Sequence, residues 1–374
     1  MKICLVSEYF YPQSKGGTEK YVFELANKLI LEGNEVEVIT VSLTEFADYQ
    51  YHGISVKVVK LANNLDLFAD ILTREKYNRI HFHTLTPAFD TYHIAVAQTT
   101  GAEIYFTAHI PAVTCIRGDL MQFGKIACDG YILKHRCTSC YISKKKIPKP
   151  FSNLIGGLTT LINYPKGISS AVEMKLAEIS ALNRLCNKVF IFTDWQKTIF
   201  IKNGFEPEKL VQVRQMEVAA PPKDTDFPVI SRGKNKIKIG FVGRITYEKG
   251  LHILLDAFLE AKIEKLELHV AAIVPDKQDP YFHKLIKLSN GNDNIFWEFD
   301  LNNTDIQEFY QKVDLICIPS IWYETGPFVL YEAIKFQLPI IANNLGDMDA
   351  WRKKGYWIKT YNNKKELLDS LLKL

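Results

Sequence analysis

The sequence contains no apolar run of about 18 residues, the length a membrane-crossing helix needs, so no transmembrane helix is expected. It has no GxGxxG after a strand-like segment and no GxxxxGK[ST], which removes the usual dinucleotide fingerprint and the P-loop. It lacks a strong charge of either sign. Lys and Arg number 46 against 42 Asp and Glu, and +4 over 374 residues is too little to argue for nucleic acid as a partner. Cysteine is scarce and odd in number, at 7, and no export signal accompanies it, so a disulfide framework is not expected. The start, MKICLVSEYF, reads as a strand leading into Gly-Gly and a helix. It has neither the h-region nor the cleavage site of a signal peptide, which points to the cytoplasm.

What is present is a globular composition, 47% hydrophobic and 24% charged, in a chain too long for one ordinary core. Strand-like and helix-like patterns alternate along both halves, the signature of parallel sheets covered by helices. KICLVS precedes a helix near Thr18 to Glu32; EVEVITV, ISVKVVK, RIHFHT, EIYFTAH and KVFIFT follow. The pattern breaks at 217–236, rich in Pro, Lys and Asp, and restarts with IKIGFVG, LELHVAAIV, NIFWEFD, DLICIPS and PIIAN. The expected domains are 1–220, with a cysteine-containing insert at 115–150, and 221–374. Ligands of such sheets bind beyond the carboxyl ends of the strands.

The most telling segment is Pro319 to Gly346, PSIWYETGPFVLYEAIKFQLPIIANNLG. An apolar strand stops at Pro-Ser, and Pro327 suits the first position of a helix, where its missing N–H costs nothing. Glu324 then falls in the loop and Glu332 about one and a half turns into the helix. Helical side chains lean toward the N-terminus, so the two acids converge on a helix end whose N–H groups attract anions. Upstream, IGFVGRITYEKGLHILLDAF sets Arg244 after Gly243, with Lys249 and Gly250 opening an amphipathic helix. Two cations beside a close-approach backbone suit a diphosphate, neutralising charge where it develops.

These two segments closely resemble retaining glycosyltransferases of family 4. The resemblance implies a GT-B architecture: an α/β protein of two Rossmann-like domains whose parallel sheets face a central cleft. It implies Arg244 and Lys249, in the pattern G-R-x(4)-K-G, as the diphosphate clamp, Glu324 at the transferred sugar and Glu332 on the ribose hydroxyls. The backbone of Gly243, Thr325, Gly326, Pro327, Phe328 and Val329 would line the donor site. Gly16-Gly17 matches the family's glycine-rich loop after the first strand, suited to phosphate or acceptor contact; a plain turn with Thr18 as cap is the structural alternative. His109, at the end of EIYFTAH, matches a histidine that lies against the donor sugar, beside the alternative of a structural hydrogen bond. His81 and His83 read as structural, His83 being the better cleft candidate. Asn302, Asn303 and Thr304 weakly match a loop near the base.

Cys115, Cys128, Cys137 and Cys140 follow closely, the last two as C-x-x-C. A structural zinc ion is one reading and reduced or redox-labile thiols the other. Cys4, Cys186 and Cys317 sit in apolar runs and read as core. The stretch 134–149, KHRCTSCYISKKKIPK, carries no acid; it reads as a solvated loop or as contact with an anionic membrane at its inner face.

Together these imply a hexosyl transfer from a UDP- or GDP-linked sugar to a glycan or polyprenyl-linked hydroxyl in polysaccharide assembly, with no cofactor required for catalysis. The alternatives are a GT-B-like epimerase or phosphorylase, or a non-catalytic, zinc-bearing binder of sugar nucleotides. One departure stands out: the family commonly ends in a long helix crossing back to the first domain. Only KKELLDSLLKL lies beyond Asn363, so a short or absent crossover is expected.

Overall fold

The computed structural model describes residues 1–14, 16–42, 47–61, 64–144, 168–224, 226–230 and 235–374. The chain separates into two compact units, Met1–Gln215 and Met216–Leu374. The change of unit comes just before the Pro- and Lys-rich break, a few residues ahead of the composition boundary at 220.

The first unit is built on an eight-stranded sheet. Its strands are β1 (Lys2–Val6), β2 (Glu35–Val41), β3 (Tyr49–Tyr51), β4 (Ile54–Val59), β5 (Arg79–Phe82), β6 (Glu103–Thr107), β9 (Lys188–Ile191) and β10 (Leu210–Gln212). A separate small hairpin, β7 (Met121–Gln122) and β8 (Ile126–Ala127), lies between β6 and β9. The order is β10-β9-β6-β5-β1-β2-β4-β3, parallel throughout except for the edge hairpin of β3 with β4. Central strands buried on both faces need continuous apolar runs, and Ile3, Cys4, Leu5 and Val6 of β1 are all fully buried. Helix Gly17–Leu31 lays Val22 and Ala26 into the core beside Ile3 and Leu5, with Phe23, Leu25 and Leu29 packed half-buried against the same cluster.

The second unit carries a six-stranded, all-parallel sheet. Its strands are β11 (Ile237–Arg244), β12 (Leu266–Ile273), β13 (Ile295–Phe299), β14 (Leu315–Ile318), β15 (Ile340–Asn343) and β16 (Ile358–Tyr361). They run β13-β12-β11-β14-β15-β16, so the order of strand addition reverses between β11 and β14. This is the doubly-wound order 3-2-1-4-5-6, whose crevice at the reversal is where ligands bind. The first sheet reverses in the same manner between β1 and β5. The last helix, Lys364–Leu372, packs on helix Leu251–Ala261 and on β16, with Leu367 and Leu371 in the second unit's core. No helix among the described residues is long and apolar enough to cross a membrane.

Candidate functional site

In the second unit the residues of interest gather at the β11/β14 reversal. β11 ends on Gly243 and Arg244, and the chain turns through Tyr247–Lys249 into helix Leu251–Ala261. Gly250 joins turn to helix at φ 71°, a conformation only glycine takes without strain, and a Cβ there would overlap the Pro319 carbonyl oxygen. The N–H of Ile321 donates to the Glu248 carbonyl at 2.9 Å, so the loop after β14 is stitched to the loop after β11.

This stitching brings Lys249 to Glu324. Lys249 Nζ donates to Glu324 Oε1 at 2.6 Å, and Ser320 Oγ donates to the same oxygen at 2.7 Å. Ser320 is held in turn, its carbonyl accepting from Asn343 Nδ2 at 2.9 Å. The Lys249 ammonium also stands 5.5 Å from the Trp322 ring centre. Burial works to raise the Glu324 carboxyl, but the Lys249 charge and the Lys249 and Ser320 hydrogen bonds outweigh it, holding the group below the ordinary carboxylate range. Arg244 is exposed, with no ion pair among the described residues.

Thr325, Gly326 and Pro327 lead into helix Phe328–Lys335. Pro327 is the residue before the helix, one position earlier than its φ preference had suggested, and no side chain caps this end. Phe328 and Val329 open the helix, and Glu332 follows on the same element with its Oε2 accepting from Tyr310 Oη at 2.8 Å. The structure thus brings Lys249, Ser320 and Glu324 into contact beyond β11 and β14, with Arg244 at the end of β11 and Glu332 on the following helix held by Tyr310. Such a set can hold a polyanion and hydroxyl groups together.

Gly16, Gly17 and His109 belong to the first unit, at the end of its own reversal. A cavity of about 130 Å³ is lined there by Ser7 and Glu8 after β1, Thr18 and Glu19 of the first helix, His83 after β5 and His109 after β6. Gly16, not Thr18, is the cap of helix Gly17–Leu31, and Gly17 is its first residue. Ser14 Oγ donates to Glu19 Oε1 at 2.6 Å, folding that carboxylate back toward Gly16. His83 Nδ1 and His109 Nε2 are 3.1 Å apart, and His81 Nε2 lies 2.7 Å from Thr107 Oγ1. Burial drives His81 and His109 down to about 3 and His83 well below the ordinary imidazole value. All three rings are neutral at pH 7, and Tyr21 packs edge-on against His109 at 4.9 Å.

Five contributors had no signal of comparable strength in the sequence. Ser320 and Trp322 belong to the PSIW string of the telling segment, which assigned neither of them a role. Glu19 is detectable afterwards as an acid at the third helical position, where a side chain reaches back to the cap. Tyr21 and Tyr310 look like ordinary core aromatics.

The four insert thiols are free, and among the described residues no three His, Cys, Asp or Glu side chains stand together as a metal-holding set. Cys140 is buried under the β7–β8 hairpin and accepts from the Phe123 N–H at 3.1 Å. Cys128 points toward Asp129, and Cys137 packs against the first unit's core. Burial raises these three thiols, with the nearby Cys115 adding to the effect. Of the basic stretch, 145–149 lies outside the described residues. In the described part Lys134 pairs with Glu173, Arg136 with Asp129, and Lys144 donates to the Arg117 carbonyl.

Residues 222–374 match the family model described as glycosyl transferases group 1. A 42.6 kDa protein of the cps region of Klebsiella pneumoniae is 24% identical, the match covering 92% of this chain and 86% of that protein. A glycosyltransferase of Methanocaldococcus jannaschii is 25% identical over 97% of this chain and 86% of its own length. Among solved structures, Anabaena HepE in complex with UDP and glucose superposes with a TM-score of 0.63 at 16% identity, covering 100% of this chain and 89% of that one. At that identity the likeness speaks for the fold. The chain has the GT-B fold, and residues 222–374, nearly all of its second unit, match the glycosyl transferases group 1 family.

Proposed function

We propose that the protein transfers a hexose, with retention, from a UDP- or GDP-linked donor to a hydroxyl of a glycan or polyprenyl-linked acceptor in polysaccharide assembly. The observation that carries this reading is the Lys249–Glu324 pair at the β11/β14 crevice, in a chain where Arg244 is exposed at the end of β11 and the Glu324 loop leads into a helix N-terminus. The Klebsiella relative's cps region supports a role in polysaccharide assembly, and the UDP and glucose in the Anabaena structure support a UDP-hexose donor.

In this reading Arg244, Lys249 and the amides around Gly326, Phe328 and Val329 take the charge that grows on the leaving diphosphate. The bond between the anomeric carbon and the diphosphate oxygen breaks as the anomeric centre gains oxocarbenium character. The acceptor hydroxyl attacks from the face of departure, and its proton passes to the leaving phosphate oxygen. Glu324 steadies the donor sugar, Glu332 the ribose, and His109 with the Gly16-Gly17 loop serves the sugar and acceptor side. Contact with a membrane's inner face through 134–149, near exposed Ile126, Tyr131 and Leu133, fits a lipid-linked acceptor. Neutralising Lys144, Lys145 and Lys146 should then reduce co-sedimentation with anionic vesicles. A zinc ion held by the four thiols is a separate proposal: metal analysis of purified protein finding about one per chain supports it, and none removes it.

Calorimetry with UDP-glucose, UDP-galactose, UDP-N-acetylglucosamine and GDP-mannose tests the reading. A bound donor, followed by product whose anomeric configuration by NMR equals the donor's, is the expected result. Absence of heat with all four from folded protein counts against it, and an inverted product removes retention.

A further inference from the structure

Tyr310 sits on helix Asn303–Lys312, is 1% exposed, and gives its hydroxyl hydrogen to Glu332 at 2.8 Å. The ring is held independently of that bond. It stacks on Phe336 at 5.3 Å and 12° and meets Phe309 edge-on. Phe336 lies one turn beyond Glu332 at the end of the same helix, so Tyr310 grips that helix at both its aromatic face and its carboxylate. The helix bearing Tyr310 is itself seated closely. A Cβ on Gly240 would come within 2.8 Å of Ile316 and 3.2 Å of Phe309 and Val313, so the bare backbone of β11 lets this layer approach.

A glutamate on a half-exposed helical face ordinarily samples many rotamers, and binding through it must first collect them. Here a buried hydroxyl fixes one carboxylate oxygen before any ligand arrives. Its burial, with the Glu332 charge beside it, pushes the phenol far above its usual range, so it stays a donor at every physiological pH.

We infer that Tyr310 is a positioning residue for ligand recognition: through its hydroxyl it pre-orients Glu332 toward the ribose of the nucleotide and thereby sets the preference for ribo- over deoxyribonucleotides. The inference rests on the reading of Glu332 as the ribose contact. A purely structural tyrosine predicts something different, namely a loss of stability that weakens every ligand alike.

The test is titration calorimetry of the full chain with UDP, GDP and ADP and their 2′-deoxy counterparts. Wild type, Glu332→Ala, Tyr310→Phe and the double variant are compared, with melting curves alongside. Tyr310→Phe keeps the ring that packs on Phe336 and removes only the hydroxyl. The preferred ribonucleotide should bind Tyr310→Phe about 5- to 10-fold more weakly, the range expected when a pre-oriented contact loses its anchor. Its deoxy form should be nearly unaffected. In the Glu332→Ala background, Tyr310→Phe should add nothing. If Glu332→Ala leaves both affinity and ribo/deoxy ratio unchanged, or no nucleotide binds wild type, the ribose reading itself fails and takes this inference with it. If Glu332→Ala collapses the ratio while Tyr310→Phe keeps the wild-type ratio, or weakens both forms equally, only the role of Tyr310 is overturned.

Discussion

Lys249 and Glu324, 75 residues apart in sequence, meet at 2.6 Å where the second sheet reverses. A diphosphate approaching Lys249 finds its cation already neutralised by a carboxylate that Ser320 also holds. The pair is mostly shielded, with side chains 18% and 11% exposed, so removing one partner strands the other's charge. Lys249→Met should therefore lower kcat/KM by about 10²- to 10³-fold. It should also cost roughly 2–4 kcal/mol of stability, at the lower end for buried pairs. The double variant Lys249→Met/Glu324→Gln should regain most of the stability and none of the activity. Denaturant curves and kinetics on the three variants check this. Unchanged nucleoside-diphosphate affinity in Lys249→Met would reduce the pair to a structural tie.

Gly250 tests whether the stitched loops matter to the same site. An alanine there bears a left-handed backbone, at about 1–2 kcal/mol, and also pushes against the Pro319 carbonyl. The displaced loop carries Ser320 and Glu324, and a shift near 1 Å at a reacting site costs about 10²-fold in rate. Gly33→Ala is the matched control. It has φ 81° but open space around its Cβ, so it bears the backbone strain alone and should keep full activity. Equal kinetics for the two variants would detach the loop contact from function.

The buried imidazoles of the first unit give a pH dependence whose sign follows from their direction. His81 and His109 titrate near 3 when folded and near the ordinary 6.5 when unfolded. Between those values the unfolded chain binds more protons, so the stabilisation is complete above about pH 6.5 and is lost as pH falls toward 3. Each such histidine contributes a slope of about 1.4 kcal/mol per pH unit in that window. Denaturant unfolding followed through a probe in the first unit should show stability falling from pH 7 to pH 5. His81→Asn should flatten that slope. A slope that stays the same in His81→Asn and His109→Asn would show that other groups cause it.

The parallel sheets were legible because buried strands must be written as apolar runs, and KICLV, IKIGFVG and LICIP are such runs. The short edge strands were not: YQY, LVQ and IKTY hold three to four residues each, too few to show a period. Among the candidate site residues, Arg244 and Lys249 stood out as charges beside glycine at an element's end and Glu324 as an acid in a loop, whereas Glu332 was picked out by its spacing from Glu324. Their supports were not. Nothing in the spelling of Tyr310 or Ser320 distinguishes them from core and loop residues, since their role depends on which segment crosses above them. The thiol spacing, with one close pair, left a metal ion and reduced thiols both open; in the structure Cys140 lies beneath the hairpin beside the Phe123 N–H and Cys137 packs against the core.

The two carboxylates should separate by kinetic signature, because their surroundings differ. Glu324 lies against Lys249 and Ser320 within the loop, while Glu332 stands a turn into the helix and is anchored from behind by Tyr310. A group that acts on the nucleotide contributes binding shared by ground state and transition state, so Glu332→Ala should raise KM and the nucleoside-diphosphate Kd by about 10-fold at nearly constant kcat. A group beside the reacting sugar contributes mainly as charge develops there. Glu324→Ala should lower kcat by about 10²-fold or more and leave the Kd for the free diphosphate within a small factor. Because Glu324→Ala also releases Lys249 from its partner, the diphosphate Kd in that variant is the sensitive number. Tighter binding than wild type would mean that Glu324 competes with the ligand for Lys249. An equal loss of affinity in both alanine variants would contradict the assignment of sugar to one acid and nucleotide to the other.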